Sequence, residues 1–128
     1  MPLELKLLVW SVALTFILVV IAVSGATHEI GLGTLAGNRQ DFPEMKGWAG
    51  RAQRAHRNML ESLVLFASLI LVAQITGKLN AMTALGAQLF FWARVAHAAI
   101  YIAGIKWLRT LAWAVSIAGL ILIFLQVV

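Results

Sequence analysis

Long apolar stretches alternate with short polar connections along this chain, and that pattern predicts four membrane-spanning helices. Residues 5–23 hold a single charge, Lys6 at their edge, and three further apolar stretches of similar length follow. About twenty residues at 1.5 Å per residue cross a hydrocarbon core of ~30 Å. We therefore predict helices over residues 5–24, 50–76, 81–103 and 108–127. Residues 1–128 would then form one all-α domain, an integral membrane four-helix bundle.

Glycine, proline and asparagine mark the connections between the apolar stretches. Residues 28–50 contain several glycines and Pro43 without apolar periodicity, which predicts a loop that covers any site at that membrane face. Gly77 and Asn80 predict a tight turn, as the C-cap of one helix and the N-cap of the next. Ser24 and Gly25 predict the end of the first helix. Residues 22–26 also resemble a signal-peptidase site, so a cleaved signal is the alternative for the first stretch.

Composition narrows the class of protein. The chain is 62% hydrophobic and 12% charged, against about 25% charged residues in soluble domains, which indicates a membrane protein. Without cysteine it has no disulfide, cysteine nucleophile or thiolate metal site. The three histidines lack the spacing of a metal site, so we predict no bound metal. The basic residues adjoin membrane-buried sequence, which does not favour nucleic acid as a partner.

The distribution of lysine and arginine predicts the orientation in the membrane. The connections after the first and third helices carry seven cations: Arg39, Lys46, Arg51, Arg54, Arg57, Lys106 and Arg109. The N-terminus and the middle turn carry only Lys6 and Lys78. By the positive-inside rule the seven-cation side is cytoplasmic. The short chain and small loops favour a bacterial-type inner membrane, so we expect a multi-pass protein there with its site on the cytoplasmic side.

Polar residues are concentrated at the start of the second helix. Five of them fall within or at the edge of one helical sector about 80° wide: Arg51, Arg54, Arg57, Asn58 and Glu61. His56 points away from that sector. Charge that runs into a bilayer helix is costly and usually functional. For Arg51 and Arg54 the alternative is anchoring to the anionic headgroups of membrane lipids.

The third and fourth helices add polar residues at the same end. Arg94, His97 and Tyr101 share one face of the third helix through their spacing of three and four. Arg109 and Thr110 lie in the first turn of the fourth helix, where the helix dipole adds partial positive charge. One helix-to-helix ion pair would not need so many cations. The surplus positive charge therefore predicts an anionic ligand.

Glu61 and Arg94 lie at about the same depth in their helices. An unpaired charge at that depth costs several kcal/mol, so we predict that the two form an ion pair. The alternative for this pair alone is that it only locks the second helix to the third.

The start of the second helix resembles the signature of the MAPEG family, the membrane-associated proteins in eicosanoid and glutathione metabolism. The matching residues are Arg51, Arg54, Ala55, His56, Arg57, Asn58 and Glu61. Two further matches follow in order, Arg94-Val95-Ala96-His97 with Tyr101, and Arg109-Thr110 with Trp113. With the four-helix layout the resemblance covers essentially the whole chain. Within the family, the chain resembles the microsomal glutathione transferase and prostaglandin E synthase type.

The resemblance implies an assembly and a ligand. It implies a homotrimer in which glutathione, as cosubstrate, binds between neighbouring subunits, while a lipophilic small-molecule substrate arrives from the bilayer. The residues implied to line or support the glutathione site are Arg51, Arg54, Arg57, Asn58, Glu61, Arg94, His97, Tyr101 and Trp113. Arg109 is implied to be the catalytic residue that stabilises the thiolate, with Thr110 beside it.

The function implied is that of a glutathione-dependent membrane transferase, with peroxidase activity as a further option and detoxification as its setting. Arginines suit the two carboxylates of glutathione, Glu61 suits its ammonium, and a cation at a helix N-terminus favours a thiolate. Two departures leave the electrophile open: the connection from Tyr101 to Arg109 is one residue shorter than in the prostaglandin synthase branch, and Trp113 replaces a tyrosine. The alternative is a non-catalytic lipid-binding scaffold of the same fold.

Overall fold

Four helices make up the described part of the chain, which the computed structural model covers at residues 1–29, 31 and 45–128. α1 is Leu3–Glu29, α2 is Gly47–Ile75, α3 is Ala81–Ala103 and α4 is Lys106–Val127. Each is long and apolar enough to cross a membrane, and no strand occurs among these residues. The predicted all-α four-helix architecture is therefore confirmed. The predicted covering loop falls mostly outside the described residues.

α1 continues past the point where it was predicted to end. The helix runs through Ser24 and Gly25 to Glu29, so that boundary was wrong. Gly25 is buried, and a Cβ built on it would lie 2.9 Å from the Cβ of Ala49 in α2. Glycine at this position therefore permits close packing of two helices. The end of α1 is tied to the start of α2, because the backbone N–H of Lys46 donates to Glu29 Oε1 at 2.9 Å.

The two tight turns are built by glycine and asparagine. Gly77 ends α2 with a φ of 68°, and Asn80 caps α3 by accepting from the backbone N–H of Thr83 at 2.9 Å. The Thr83 hydroxyl accepts from the Asn80 N–H in return, which completes a capping box. Gly104 ends α3 with a φ of 85°, so that α4 begins at Lys106, two residues earlier than predicted. The caps predicted at Gly77 and Asn80 are confirmed.

Hydrogen bonds join three helices at the end of the bundle where α1 and α3 begin and α4 ends. They run from Thr83 Oγ1 to Glu4 Oε2 at 2.7 Å, from Asn80 Nδ2 to Gln126 Oε1 at 2.9 Å, and from Lys78 Nζ to the Val127 carbonyl oxygen at 2.8 Å. Glu4 and Thr83 are buried there. The polar groups at this end of the bundle therefore pair with one another across the helices.

Small residues bring α3 and α4 together along their length. A Cβ on Gly86 would lie 2.7 Å from the carbonyl oxygen of Gly119, so the two backbones touch. Phe66 of α2 stacks on Phe90 of α3 with ring centroids 4.2 Å apart. Because α3 and α4 pack this closely and are joined by a two-residue turn, the polar end of α3 is held in a fixed position against the start of α4.

Candidate functional site

The polar residues of three helices meet at the end where α2 begins, α3 ends and α4 begins, which we call the arginine end. Two open clefts lie side by side there. The Arg109 cleft, of about 240 Å³, is lined by Asn58, His97, Tyr101, Arg109, Thr110 and Trp113. The Glu61 cleft, of about 220 Å³, is lined by Arg54, Arg57, Asn58, Glu61 and Tyr101. Nine of the eleven predicted site residues therefore line one cleft or the other.

Asn58 and Tyr101 line both clefts and form the ridge between them. Each cleft alone is smaller than the ~300–1,000 Å³ of a typical small-molecule pocket. Because they share a wall, the pair offers room for a ligand with two arms, one in each cleft. Helical spacing produces this arrangement, since Asn58 and Glu61 lie one turn apart on α2, and His97 and Tyr101 one turn apart on α3.

Tyr101 contacts two other side chains of the Arg109 cleft. The guanidinium carbon of Arg109 lies 4.5 Å from the centroid of the Tyr101 ring, which is cation–π geometry. The His97 ring also meets Tyr101 edge-on, with ring centroids 5.4 Å apart. His97 is buried and Arg109 is half-buried. This stack connects α3 to α4 and leaves the Arg109 charge facing the cleft.

Arg94 is buried in the wall behind the ridge and has a different partner from the one predicted. Its Nη2 donates to Asn58 Oδ1 at 2.7 Å, while Nε and Nη1 have no hydrogen-bond partner among the described residues. Glu61 is exposed. The predicted ion pair between Glu61 and Arg94 is therefore wrong. The matching depth was correct, but Asn58 lies one turn before Glu61 on the same face of α2 and reaches Arg94 instead.

Arg51 has a structural partner outside both clefts. Its Nε donates to the carbonyl oxygen of Ile102 at 2.8 Å, and its side chain lies against Gly104. The last carbonyl groups of a helix lack partners within that helix, so Arg51 caps α3. His56, predicted to point away from the site, is half-buried and lines neither cleft.

The Glu61 cleft presents charge on solvent-accessible side chains. Arg54, Arg57 and Glu61 are all exposed in the single chain. Two arginines suit carboxylates, through forked and charge-assisted hydrogen bonds, and a carboxylate suits an ammonium. This cleft therefore has the chemistry to hold the charged groups of a zwitterionic ligand.

The Arg109 cleft adds a hydroxyl and an aromatic ring to the arginine. The Thr110 hydroxyl donates to the Lys106 carbonyl oxygen at 3.4 Å, which is long for such a bond and leaves the hydroxyl available to a ligand. Trp113, one turn further along α4, is 43% exposed and forms the apolar side of the cleft. A polar reacting group and an apolar partner can therefore meet in this cleft.

An apolar groove between α2 and α4 lies further from the arginine end, and the sequence reasoning missed it. Its volume is about 360 Å³, and it is lined by Leu65, Ser68, Leu69, Ile117, Leu120, Ile121 and Phe124. These residues continue, at steps of three and four, the helix faces that carry Glu61 on α2 and Trp113 on α4. This spacing of apolar residues was the sequence signal that could have predicted the groove. The groove therefore extends the face that carries the clefts toward the middle of the bundle.

Comparison with known protein families identifies the class to which this site belongs. The model of the MAPEG family matches residues 7–128, which is nearly the whole chain and includes every residue of both clefts. The chain belongs to the MAPEG family. No curated protein and no solved structure gives a match.

Family membership gives the four apolar helices their setting. This MAPEG protein is a multi-pass integral membrane protein. At the level of the family, membership supports a glutathione-related transferase or isomerase type of function in the membrane. The three motifs that carried the resemblance lie at the arginine end, where α2, α3 and α4 meet.

Proposed function

We propose that this MAPEG protein is a glutathione-dependent membrane transferase, with peroxidase activity as a further option, that activates the glutathione thiolate for attack on lipophilic electrophiles. The observation that carries the proposal is the pairing of two clefts across one ridge. One cleft holds two exposed arginines and a carboxylate, and the other holds Arg109 at the start of α4. In this reading the site is on the cytoplasmic side of a bacterial-type inner membrane.

The Glu61 cleft suits the charged ends of glutathione. The tripeptide carries two carboxylates and one ammonium, which match Arg54, Arg57 and Glu61 in number and sign. Because these side chains are exposed, they can contact the charged ends of the ligand. The cysteine sulfur, which lies between the two ends of the tripeptide, then reaches over the ridge into the Arg109 cleft.

Arg109 supplies the positive charge that favours the thiolate. A free thiol is only a few per cent ionised at neutral pH, so a cation and a helix N-terminus beside the sulfur raise the reactive fraction. Arg109 lies in the first turn of α4, where both effects coincide. The Thr110 hydroxyl lines the same cleft and can donate a hydrogen bond to the sulfur. The thiol proton is released to solvent through the open cleft.

The chemical step is a nucleophilic displacement or addition. The thiolate sulfur donates an electron pair to the electrophilic carbon, a carbon–sulfur bond forms, and the leaving group departs with its bonding electrons or, in an addition, the acceptor atom takes a proton from water. Trp113 and the groove between α2 and α4 provide apolar surface for the electrophile. The lipophilic substrate would enter this surface from the bilayer.

The exposed face of α2 supports assembly as a homotrimer with this helix at its centre. Seven exposed residues follow one another in alternating steps of three and four: Arg54, Arg57, Glu61, Val64, Ser68, Leu71 and Ile75. That spacing is the seam of helices that pack in parallel around one another. Polar members of such a face are not satisfied by lipid. A neighbouring subunit on this seam would also close the open side of the Glu61 cleft.

A lipid-binding scaffold without turnover is the second candidate, and the apolar groove favours it. A lipid chain would fill the surface lined by Leu65, Ile117 and Phe124 whether or not a thiol is activated above it. The two functions differ in what happens to the sulfur. A scaffold binds its lipid without forming a thiolate, whereas the transferase forms one before any electrophile is added.

The test uses the purified protein in mild detergent with three thiols: glutathione, free cysteine and a neutral alkyl thiol. We expect tight binding and the ultraviolet absorbance of a thiolate with glutathione, weaker binding with cysteine, and neither with the neutral thiol. Turnover with a chlorodinitrobenzene should follow the same order. Glutathione binding without thiolate absorbance would favour the scaffold, and no preference for glutathione over the neutral thiol would contradict the proposal.

A further inference from the structure

Arg94 is a large, fully buried side chain at the arginine end, yet it lines neither cleft. It is 1% exposed, and its single hydrogen bond within the described residues goes from Nη2 to Asn58 Oδ1. Two of its three nitrogens are left without a partner there, which is a costly arrangement for a residue whose only purpose is to hold two helices together. An apolar side chain would lock α2 to α3 at less cost.

The bond to Arg94 decides which way the Asn58 amide points. A guanidinium has only donors, so the group of Asn58 that faces it must be the carbonyl oxygen. The amide nitrogen, which is bonded to the same carbon, is then turned away from Arg94. Asn58 lines both clefts, so its two N–H donors are presented at the ridge between them. Without Arg94 the terminal torsion of asparagine is broad and two-fold, and the oxygen can face the ligand equally well.

We infer that Arg94 is a positioning residue, which acts on the reaction through Asn58 and does not touch the ligand. It holds the Asn58 amide so that the nitrogen donates to an acceptor on the bound thiol peptide, either a peptide carbonyl oxygen or the thiolate itself. This inference rests on the proposed function, because it takes glutathione as the ligand. The family resemblance implied that Arg94 lines or supports the glutathione site, and this inference assigns it the supporting role.

Four single variants, together with Asn58→Leu and its double variant with Arg94→Met, separate this role from a purely structural one. Asn58→Asp keeps an oxygen for Arg94 and adds an ion pair, but it removes both donors from the ridge. Arg94→Met keeps an unbranched side chain, although a shorter one, and removes the donor that fixes the amide. Arg94→Lys retains a donor for the Asn58 oxygen. Lys106→Met removes an exposed cation from the start of α4 and is the control for loss of charge alone.

Glutathione affinity and melting temperature are measured for each variant. Asn58→Asp and Arg94→Met should each weaken glutathione binding about ten-fold, the equivalent of one hydrogen bond. Asn58→Asp should melt no lower than the wild type, because it keeps a partner for Arg94. Arg94→Lys should recover part of the lost affinity, and Lys106→Met should bind as the wild type does. Once Asn58 is replaced by leucine, Arg94→Met should cause no further loss.

Three results would overturn the inference. Arg94→Met could bind glutathione as the wild type does while melting at a lower temperature, which is the behaviour of a helix lock. Asn58→Asp could bind with unchanged affinity, which would show that the ridge donates nothing to the ligand. The losses from Arg94→Met and Asn58→Leu could add in full, which would mean that Arg94 acts independently of Asn58.

A wild type that does not bind glutathione at all would be a different failure, because it removes the proposed function and the role of Arg94 with it. The melting temperatures of Arg94→Met, Asn58→Leu and the double variant are measured without any ligand. They report on the Arg94–Asn58 bond itself. Coupling between the two substitutions without glutathione binding would therefore assign the bond to stability alone.

Discussion

Replacing Arg109 with alanine tests whether the arginine end activates a thiol. Arg109 lies in the first turn of α4, lines its cleft beside Thr110 and covers one face of Tyr101 at 4.5 Å. The two exposed arginines proposed to bind the carboxylates of glutathione lie on α2, in the neighbouring cleft. Arg109→Ala should therefore leave most glutathione binding in place while it lowers the fraction of bound thiol that is ionised.

The size of the effect follows from the charge and its exposure. Two unit charges about 4 Å apart interact by roughly 4 kcal/mol at an effective dielectric constant near 20. Arg109 is half-buried and the cleft is open, so solvent screening reduces this to roughly one to two pKa units of the thiol, or about 1.4–2.8 kcal/mol. We expect kcat/KM with a chlorodinitrobenzene to fall about ten- to one-hundred-fold.

The assay combines steady-state conjugation, glutathione binding by calorimetry and the ultraviolet absorbance of the thiolate. Lys106→Ala is the matched control, because Lys106 is an exposed cation one turn earlier on the same helix. Arg109→Lys keeps the charge and should retain part of the turnover. Full turnover together with full thiolate absorbance in Arg109→Ala would refute the reasoning and make Arg109 a headgroup anchor.

Three further predictions concern the fold and the assembly. Gly86→Val should lower the free energy of unfolding by about 1–3 kcal/mol, because the valine side chain would collide with the Gly119 backbone. Thermal melting compares this variant with Ala96→Val, at an exposed position of α3, and equal melting temperatures would contradict the close packing. Asn80→Ala should lower the free energy of unfolding by about 1 kcal/mol through loss of the α3 cap, whereas Asn80→Asp keeps the accepting oxygen. If chemical unfolding showed no difference between the two variants, the cap would be contradicted. Ser68→Cys, on the exposed seam of α2, should form disulfide-linked subunits on oxidation, because the chain has no other cysteine. Crosslinking no stronger than that of Ala96→Cys, on α3, would count against a trimer with α2 at its centre.

Helix spacing in the sequence predicted most of the residues that line the candidate site. Nine of the predicted residues line the two clefts because one turn of helix brings positions three and four apart onto one face. Arg109 and Tyr101 meet because Gly104 allows a turn so short that the end of α3 and the start of α4 are neighbours. Both relationships are local, so they can be read from the order of residues.

The errors came where the partner of a residue lies on another helix. Depth along the axis correctly placed Arg94 opposite the polar face of α2, but Asn58 and Glu61 share that face one turn apart. Only the rotation and separation of the packed helices decide which of them a buried guanidinium reaches. The partner of Arg51 could not be predicted either. Arg51 bonds the carbonyl oxygen of Ile102, which is a backbone atom and leaves no trace in the pattern of side chains. Gly25 was taken for a helix end because the Ala49 that packs against it lies 24 residues away.

The sequence by itself determined the class of this protein: four apolar helices, their approximate bounds, the end that gathers the arginines and the family motifs. Those properties depend on composition and on periodicity within one helix, which are local. Only the tertiary structure decided that Arg94 lies behind the site and holds Asn58, that Arg51 caps α3, and that an apolar groove continues the site between α2 and α4. The physical reason is that hydrogen-bond partners of buried groups and the spaces between helices depend on how whole helices pack, and that is set by distant contacts such as those at Gly86 and Gly119.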